Sequence, residues 1–330
     1  MGFTRREFLK AGIAGAVLAA SGLYLWRKLI RPRWLEKTFI AKVSDYQADL
    51  AAAILAGLRE LGMSPEVIKG KRILLKPNLV ETNPRSIHIN THPLVVRGAA
   101  EAFLKSGASQ VLVAEGPGHC RDTLRVFEES GLSEVLWEDR IPFIDLNYQD
   151  GYTLPNAGKF SRLTSLTFPA TLRQVDLIVS VAKLKTHHWA GITLSMKNLF
   201  GVMPGIYYGW PKNVLHYAGI DSAILDITAT LRPHLAIVDG IVGMEGDGPI
   251  MGDPKPVGAL VMGRNFPAVD ATCARIMRIN PYRVNYLRQC EPYLGPIHEA
   301  EIVQIGETIA SVSTEFKLLE HIPAHRNLRL

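Results

Sequence analysis

Between Val181 and Gly205 the chain reads VAKLKTHHWAGITLSMKNLFGVMPG. Lys183, Lys185 and Lys197 share this stretch with the adjacent His187 and His188, between an apolar run and a Pro-Gly turn. A buried ammonium needs a carboxylate, an anionic ligand or water. Lysines grouped at the end of a buried strand therefore suit the binding of carboxylate or phosphate oxygens. The imidazoles add groups that move protons near neutral pH or bind metal. Thr193 can cap a short helix from Leu194 to Phe200, stopped by Gly201, whose first N–H groups would form an anion seat that Gly191 leaves open to close approach. Lys197 and Asn198 would lie about one turn in. The alternative has the lysines reaching out to solvent and one histidine hydrogen-bonding in the core.

Three further groups extend this chemistry. Lys76 and Asn78 close the apolar run RILLKPNLV and could hold the same anion. In VDGIVGMEGDGP, Asp239 ends a strand and Glu245 lies in a glycine-rich loop, oxygen donors of the kind that magnesium or calcium prefers. With His119 they are the metal candidates, a solvated glycine turn being the alternative, and the spacing is not that of an EF-hand. His92, at a helix start where an imidazole tends to stay neutral, joins His187, His216 and Lys197 as candidate catalytic groups.

These residues need elements to carry them. QVLVAEG, VDLIVSVAKLK, HLAIVDGIVG, GALVMG and EIVQIGE read as strands, the second as an unalternated run covered on both faces. Helices are expected over 45–61, from Pro93 to the stop at Gly107 with Thr91 or His92 as cap, and over 122–130, 219–231 and from Pro267. The alternation predicts an α/β fold: a mostly parallel, doubly wound, Rossmann-like sheet with helices on both faces. Ligands bind such sheets outside the carboxyl ends of the strands. The unusual residues collect at those ends: Lys76 and Asn78, Glu115 to His119, Lys183 to His188, Asp239 to Asp247. Lys183, Lys197, His92 and Asp239 are thus expected to converge on one rim.

The 330 residues, 47% hydrophobic and 21% charged, are ample for a core. The net charge of +6 is confined to residues 1–37, with eight basic and two acidic residues; the remainder holds 29 of each, so no nucleic-acid partner is expected. Cys120, Cys273 and Cys290 match no zinc knuckle or iron–sulfur ligand run, so no such cluster is expected. No dinucleotide fingerprint, Walker loop, nucleophile elbow or zinc-protease helix occurs.

The N-terminal TRREFLK followed by an Ala/Gly-rich run resembles a bacterial twin-arginine export signal. Residues 1–37 are read as that signal, either cleaved or kept as a membrane anchor and linker, and 38–330 as a single α/β domain outside the cytoplasm. The apolar run Ala11 to Trp26 is short of the roughly 20 residues of a membrane span. The expected partners are the twin-arginine translocase, a small anionic molecule and the membrane through the N-terminal segment.

LKPNLV, THPLVVRGAAEAFLKSGA, VAEGPG, the Val181–Gly205 stretch, IVDGIVGMEGDGP and GRNFPAVDATCARIM together resemble the domain-of-unknown-function family DUF362, in order over roughly residues 70 to 310. Many relatives carry a ferredoxin-like cysteine run that this chain lacks. A more distant resemblance is to nickel-pincer lactate racemases, which would give His187 or His188, Gly191, Lys197, Pro204-Gly205 and His216 the parts of a histidine, a glycine-rich stretch, a cofactor-bearing lysine, a turn and a second histidine. Thr193-Leu194-Ser195-Met196 stands where those enzymes carry three glycines. Three functions follow as expectations: an exported enzyme acting on a small carboxylate or phosphate by His/Lys acid–base chemistry, with a divalent metal compatible; a non-catalytic extracytoplasmic ligand- or cofactor-binding protein; or a redox-associated protein without its own cluster.

Overall fold

The longest stretches of buried apolar sequence become the centre of one sheet. In a computed structural model describing residues 35–82, 86–119, 122–291 and 293–330, VDLIVSVAKLK from its Leu177 onward lies within strand β7, Leu177–His187, buried at every position. Around it run β1 (Glu36–Lys42), β2 (Arg72–Pro77), β3 (Gln110–Glu115), β4 (Phe143–Asp145), the separate hairpin β5 (Gly151–Pro155) and β6 (Ser165–Pro169), β8 (Gly191–Thr193), β9 (Leu235–Glu245), β10 (Asp253–Gly263) and β11 (Ile302–Gly306). The order is β11-β1-β10-β9-β7-β2-β3-β4, with β8 paired to β7. From β9 to β4 the strands are parallel, whereas β10 runs antiparallel to both β9 and β1. The fold is the expected mostly parallel α/β arrangement, extended at one side by a mixed edge. The twin-arginine stretch, the apolar run after it and Cys120 lie outside the described residues.

Each face of the sheet is covered by helices, because the strands are apolar on both sides. On one face the helices Leu50–Glu60 and Pro93–Lys105 pack on Ile73, Leu75, Val179 and Val181. On the other, Ile220–Leu231 and Phe266–Ile276 pack on Leu74, Ala182 and Leu184. The helix starts are set by caps: the Asp49 carboxylate accepts from Ala52 N, and His92 Nδ1 accepts from Leu94 N ahead of Pro93. Such a cap stabilises by about 1 kcal/mol. The chain moves from β2 outward to β3 and β4, then returns to place β7 on the other side of β2. The switch point therefore lies between β2 and β7, where a parallel sheet leaves a crevice at its carboxyl end. Among the described residues no helix is long and apolar enough to cross a membrane.

Candidate anion-binding site

A cavity of 570 Å³ opens at that switch point, lined by Lys76, Glu115, Lys185, His187, Lys197 and Lys212 among others. Its volume is that of a small-molecule site. Three neighbouring strands contribute their ends. β2 supplies Lys76, β3 supplies Glu115, and β7 carries Lys185 and His187. The chain then turns back through β8, with Gly191 at φ 79° at the reversal, and enters the short helix Ser195–Asn198 that brings in Lys197 and Asn198.

The innermost pair is neutralised. Lys76 Nζ lies 2.6 Å from Glu115 Oε2 and donates also to Asn198 Oδ1 and Pro77 O, both at 2.7 Å. Three acceptors around the nitrogen are what an ammonium requires. Glu115 accepts further bonds from Leu79 N and Gly116 N. Burial pushes the lysine down and the carboxyl up, and their mutual attraction opposes both shifts. The fit is close: a Cβ on Gly201 would collide with the Glu115 carboxylate, so the segment after Lys197 can pass only as glycine.

Three other amines face the cavity and none meets a carboxylate among the described residues. Lys185 Nζ donates to the carbonyls of Ile89 at 2.8 Å and Pro249 at 3.2 Å, and burial beside Lys183 and Lys197 drives it well below its ordinary range. Lys212, held at a left-handed φ of 67°, donates to Met203 O at 2.6 Å and to Asn147 Oδ1; burial lowers it to about 7. Among the described residues Lys197 makes no hydrogen bond or ion pair, and it rests over the Phe200 ring at 3.8 Å from Nζ to the centroid. Burial, then the neighbouring Lys76, lowers it to about 7. Two more polar atoms on the wall, Thr193 Oγ1 and Asn78 Oδ1, are buried without a partner among the described residues. An unpartnered buried polar atom costs about 1–3 kcal/mol. A ligand oxygen or hydroxyl would answer all of these groups at once.

The two deeper histidines have complementary faces. His187 Nδ1 accepts from Trp189 N at 3.0 Å and Ala190 N at 3.3 Å, so the neutral ring carries its proton on Nε2. His216 Nδ1 lies 3.1 Å from Lys212 O and must donate to it, leaving Nε2 as a proton acceptor. Burial, with nearby Lys197, keeps both rings below their ordinary range and therefore neutral at pH 7. The cavity thus offers one imidazole N–H donor and one imidazole acceptor beside unpaired amines. His119 and Glu81, 3.9 Å apart, and His188 and Asp247, also 3.9 Å apart, stand at the rim with the exposed Trp189 and Met251.

The structure brings together Lys76, Asn78, Lys185, Thr193, Lys197, Asn198, His187 and His216, with His119 at the edge. It does not bring Lys183, Asp239 or His92 to the cavity. Lys183 Nζ pairs with Asp239 Oδ2 at 2.8 Å, both fully buried, and the carboxylate also accepts from the Tyr46 hydroxyl, His92 N and Ile241 N. The His92 ring stacks on Tyr46 at 3.7 Å and burial lowers it to about 4. Glu245 lies elsewhere again, accepting from Lys317 N and pairing with Lys255 at 3.2 Å. Asp239, Glu245 and His119 therefore do not converge, and among the described residues no three His, Cys, Asp or Glu side chains are grouped to hold an ion. The anion seat expected at the helix start is filled from within. Asp270 accepts from Ser195 N at 2.9 Å, Ser195 Oγ at 2.5 Å and Met196 N at 3.1 Å. Thr193 belongs to β8 and is not the cap. Lys212 and Asp270 went unread in the sequence: Lys212 sits in a loop without periodicity, and Asp270 looks like one polar residue of a helix. Glu115 gave a signal, an acid ending an apolar strand just as Lys76 does.

Fold and cavity define an α/β protein with an amine-lined site at the switch point of a mostly parallel sheet. The chain belongs to the family described as Domain of unknown function (DUF362), which matches residues 73–275. It is 30% identical over 243 residues to a thylakoid-associated protein of Synechocystis sp., covering 70% of this chain and 72% of the relative. Among solved structures it is similar to a crystal structure of a Thermotoga maritima protein, with a TM-score of 0.43, 14% identity and 71% of this chain covered. It is also similar to the lactate racemase apoprotein of Thermoanaerobacterium thermosaccharolyticum, with a TM-score of 0.35, 15% identity and 75% covered. The match spans 60% and 58% of those chains. Likeness at this level brings no chemistry with it.

Proposed function

We propose that the cavity binds the anionic head of a small organic carboxylate or phosphate, and that the protein is an enzyme using His187, His216 and Lys197 for proton transfer on that compound. The observation that carries this reading is the set of amines on the cavity wall, Lys185 and Lys212 fully buried and Lys197 partly accessible, with no carboxylate among the described residues to balance them. An anion would restore the ammonium forms that burial disfavours. His216 Nε2 would take a proton from the bound molecule and His187 Nε2–H would stabilise or return one. Titration calorimetry with inorganic phosphate and with small carboxylates tests the binding. Saturable binding with proton uptake at pH 8, lost in Lys185→Met and Lys212→Met, is expected; no binding by the folded wild type would overturn it. Tight binding without turnover of any compound bound would make the protein a carrier. A divalent metal, were one bound, would draw on the cavity imidazoles of His187 and His216 and would add positive charge for the anion, and metal titration monitored by the same calorimetry tests it.

The reading extends to location. Export by the twin-arginine route to the outer face of a membrane rests on residues 4–10 and is supported by the relative that is named for its thylakoid association. Replacing Arg5 and Arg6 by lysine should retain a reporter fusion in the cytoplasm.

A further inference from the structure

Of the amines on the cavity wall, Lys197 is placed differently from the rest. Lys76, Lys185 and Lys212 are at most 1% exposed and each donates to at least two oxygens. Lys197 has no oxygen partner among the described residues, remains partly accessible from the cavity, and lies against a phenyl ring. The carboxylate that could have fixed it as an ammonium, Glu115, is taken by Lys76. An amine set apart from counter-ions beside other cations and an apolar ring is the arrangement that keeps a lysine in its free-base, nucleophilic form near neutral pH.

We infer that Lys197 condenses through Nζ with the ketone carbon of a small 2-oxo acid whose carboxylate is held by Lys185 and Lys212. This deepens the anion reading of the same cavity and rests on it. A 2-oxo acid carries the two groups the wall asks for, an anion and, one bond away, an electrophilic carbon. In the first step the Nζ lone pair forms a C–N bond, the carbonyl π pair moves to oxygen, and that oxygen takes up a proton. In the second the hydroxyl leaves as water with a further proton as the nitrogen pair forms C=N. The sum is amine plus ketone plus one proton to iminium plus water, with no change of oxidation state. His187 Nε2–H can give a proton to the oxygen, and His216 Nε2 can accept the one released from nitrogen. The iminium left on Lys197 would withdraw electrons from the bonds on the carbon next to C=N, so abstraction of a proton from that carbon, or loss as carbon dioxide of a second carboxylate carried on it (as in oxaloacetate), are the reactions it would favour.

The full chain incubated with pyruvate, 2-oxobutyrate, 2-oxoglutarate or oxaloacetate in the presence of sodium borohydride tests this. At least one acid should give a stoichiometric adduct whose mass is that of the acid less one oxygen, mapped by peptide sequencing to Lys197. Excess inorganic phosphate should suppress it at least tenfold while leaving slow labelling of surface lysines untouched. Lys197→Met should abolish it, and because the mapping is done on the wild type, a poorly folded variant does not weaken the result. If calorimetry shows that these acids bind but Lys197 is labelled no faster than surface lysines, the nucleophile inference is wrong and the anion site stands. If the folded protein binds neither the acids nor phosphate, both readings fall together.

Discussion

Lys183 and Lys185 lie two residues apart on one strand, both fully buried, in opposite circumstances. Lys183 meets Asp239 in a closed set of partners: Tyr46, His92 N and Ile241 N complete the carboxylate, and Tyr46 OH also accepts from Lys183 at 3.0 Å. Among the described residues Lys185 finds only carbonyl oxygens and shares its cavity with two further amines that lack a carboxylate. The first region ties β7, β9 and the start of the Pro93–Lys105 helix together. The second is incomplete without something negative. Burial of a lysine is therefore no mark of a site by itself; what matters is whether the opposite charge comes from the chain.

The largest expected effect lies in the closed region. Asp239→Asn strands the Lys183 ammonium, which should cost about 3–5 kcal/mol in denaturant unfolding and leave phosphate affinity at the cavity within about twofold. A folded variant that no longer binds anions would show that the two regions are one. Lys197→Met should do the reverse. It removes an amine with no acceptor, so stability should hold or rise, while anion affinity weakens by about ten- to a hundredfold, or roughly 1.4–2.7 kcal/mol.

The pH dependence sharpens the same contrast. Lys197 is held at about 7 against an ordinary 10.5, with Lys76, Glu115, Lys185, His187 and His216 facing it. Between those values the unfolded chain binds a proton that the folded chain does not. Stability without ligand should therefore rise as pH goes from 7 toward 10.5, and below 7 this group adds no slope. Anion binding has the opposite sign, because the amine must first take up a proton. Affinity should fall by about tenfold per pH unit above 7 for one coupled amine, and Lys197→Met should flatten that slope. The smallest effect belongs to His92→Ala, which loses the cap to Leu94 N and the stack on Tyr46. Thermal unfolding should register about 1 kcal/mol, with anion binding unchanged.

Much of the frame was legible because apolar runs and caps are local signals. VDLIVSVAKLK could only be a strand covered on both sides, and Thr91-His92-Pro93 marked a helix start that the structure places at His92. The antiparallel run of β10 was not legible, since a strand's direction depends on the length and course of its connections. The site divided along similar lines. A charged residue ending an apolar strand announces itself, as at Lys76 and Lys185. Whether it meets a partner from the chain is a matter of facing side chains, which separated Lys183 from Lys185. The same limit hid Asp270: the exposed N–H groups of a short helix look like a ligand seat until a carboxylate 75 residues further on is seen to fill them.

Lys76, Glu115 and Lys185 arrive on three adjacent strands whose order in space, β3-β2-β7, differs from their order in the chain. No fragment of the polypeptide carries the pocket; it comes into being only when the middle of the sheet is assembled in register. An occupant would accordingly slow amide exchange in β2, β3 and β7 by similar factors, acting as a clasp on the whole centre of the molecule and reporting that assembly is complete.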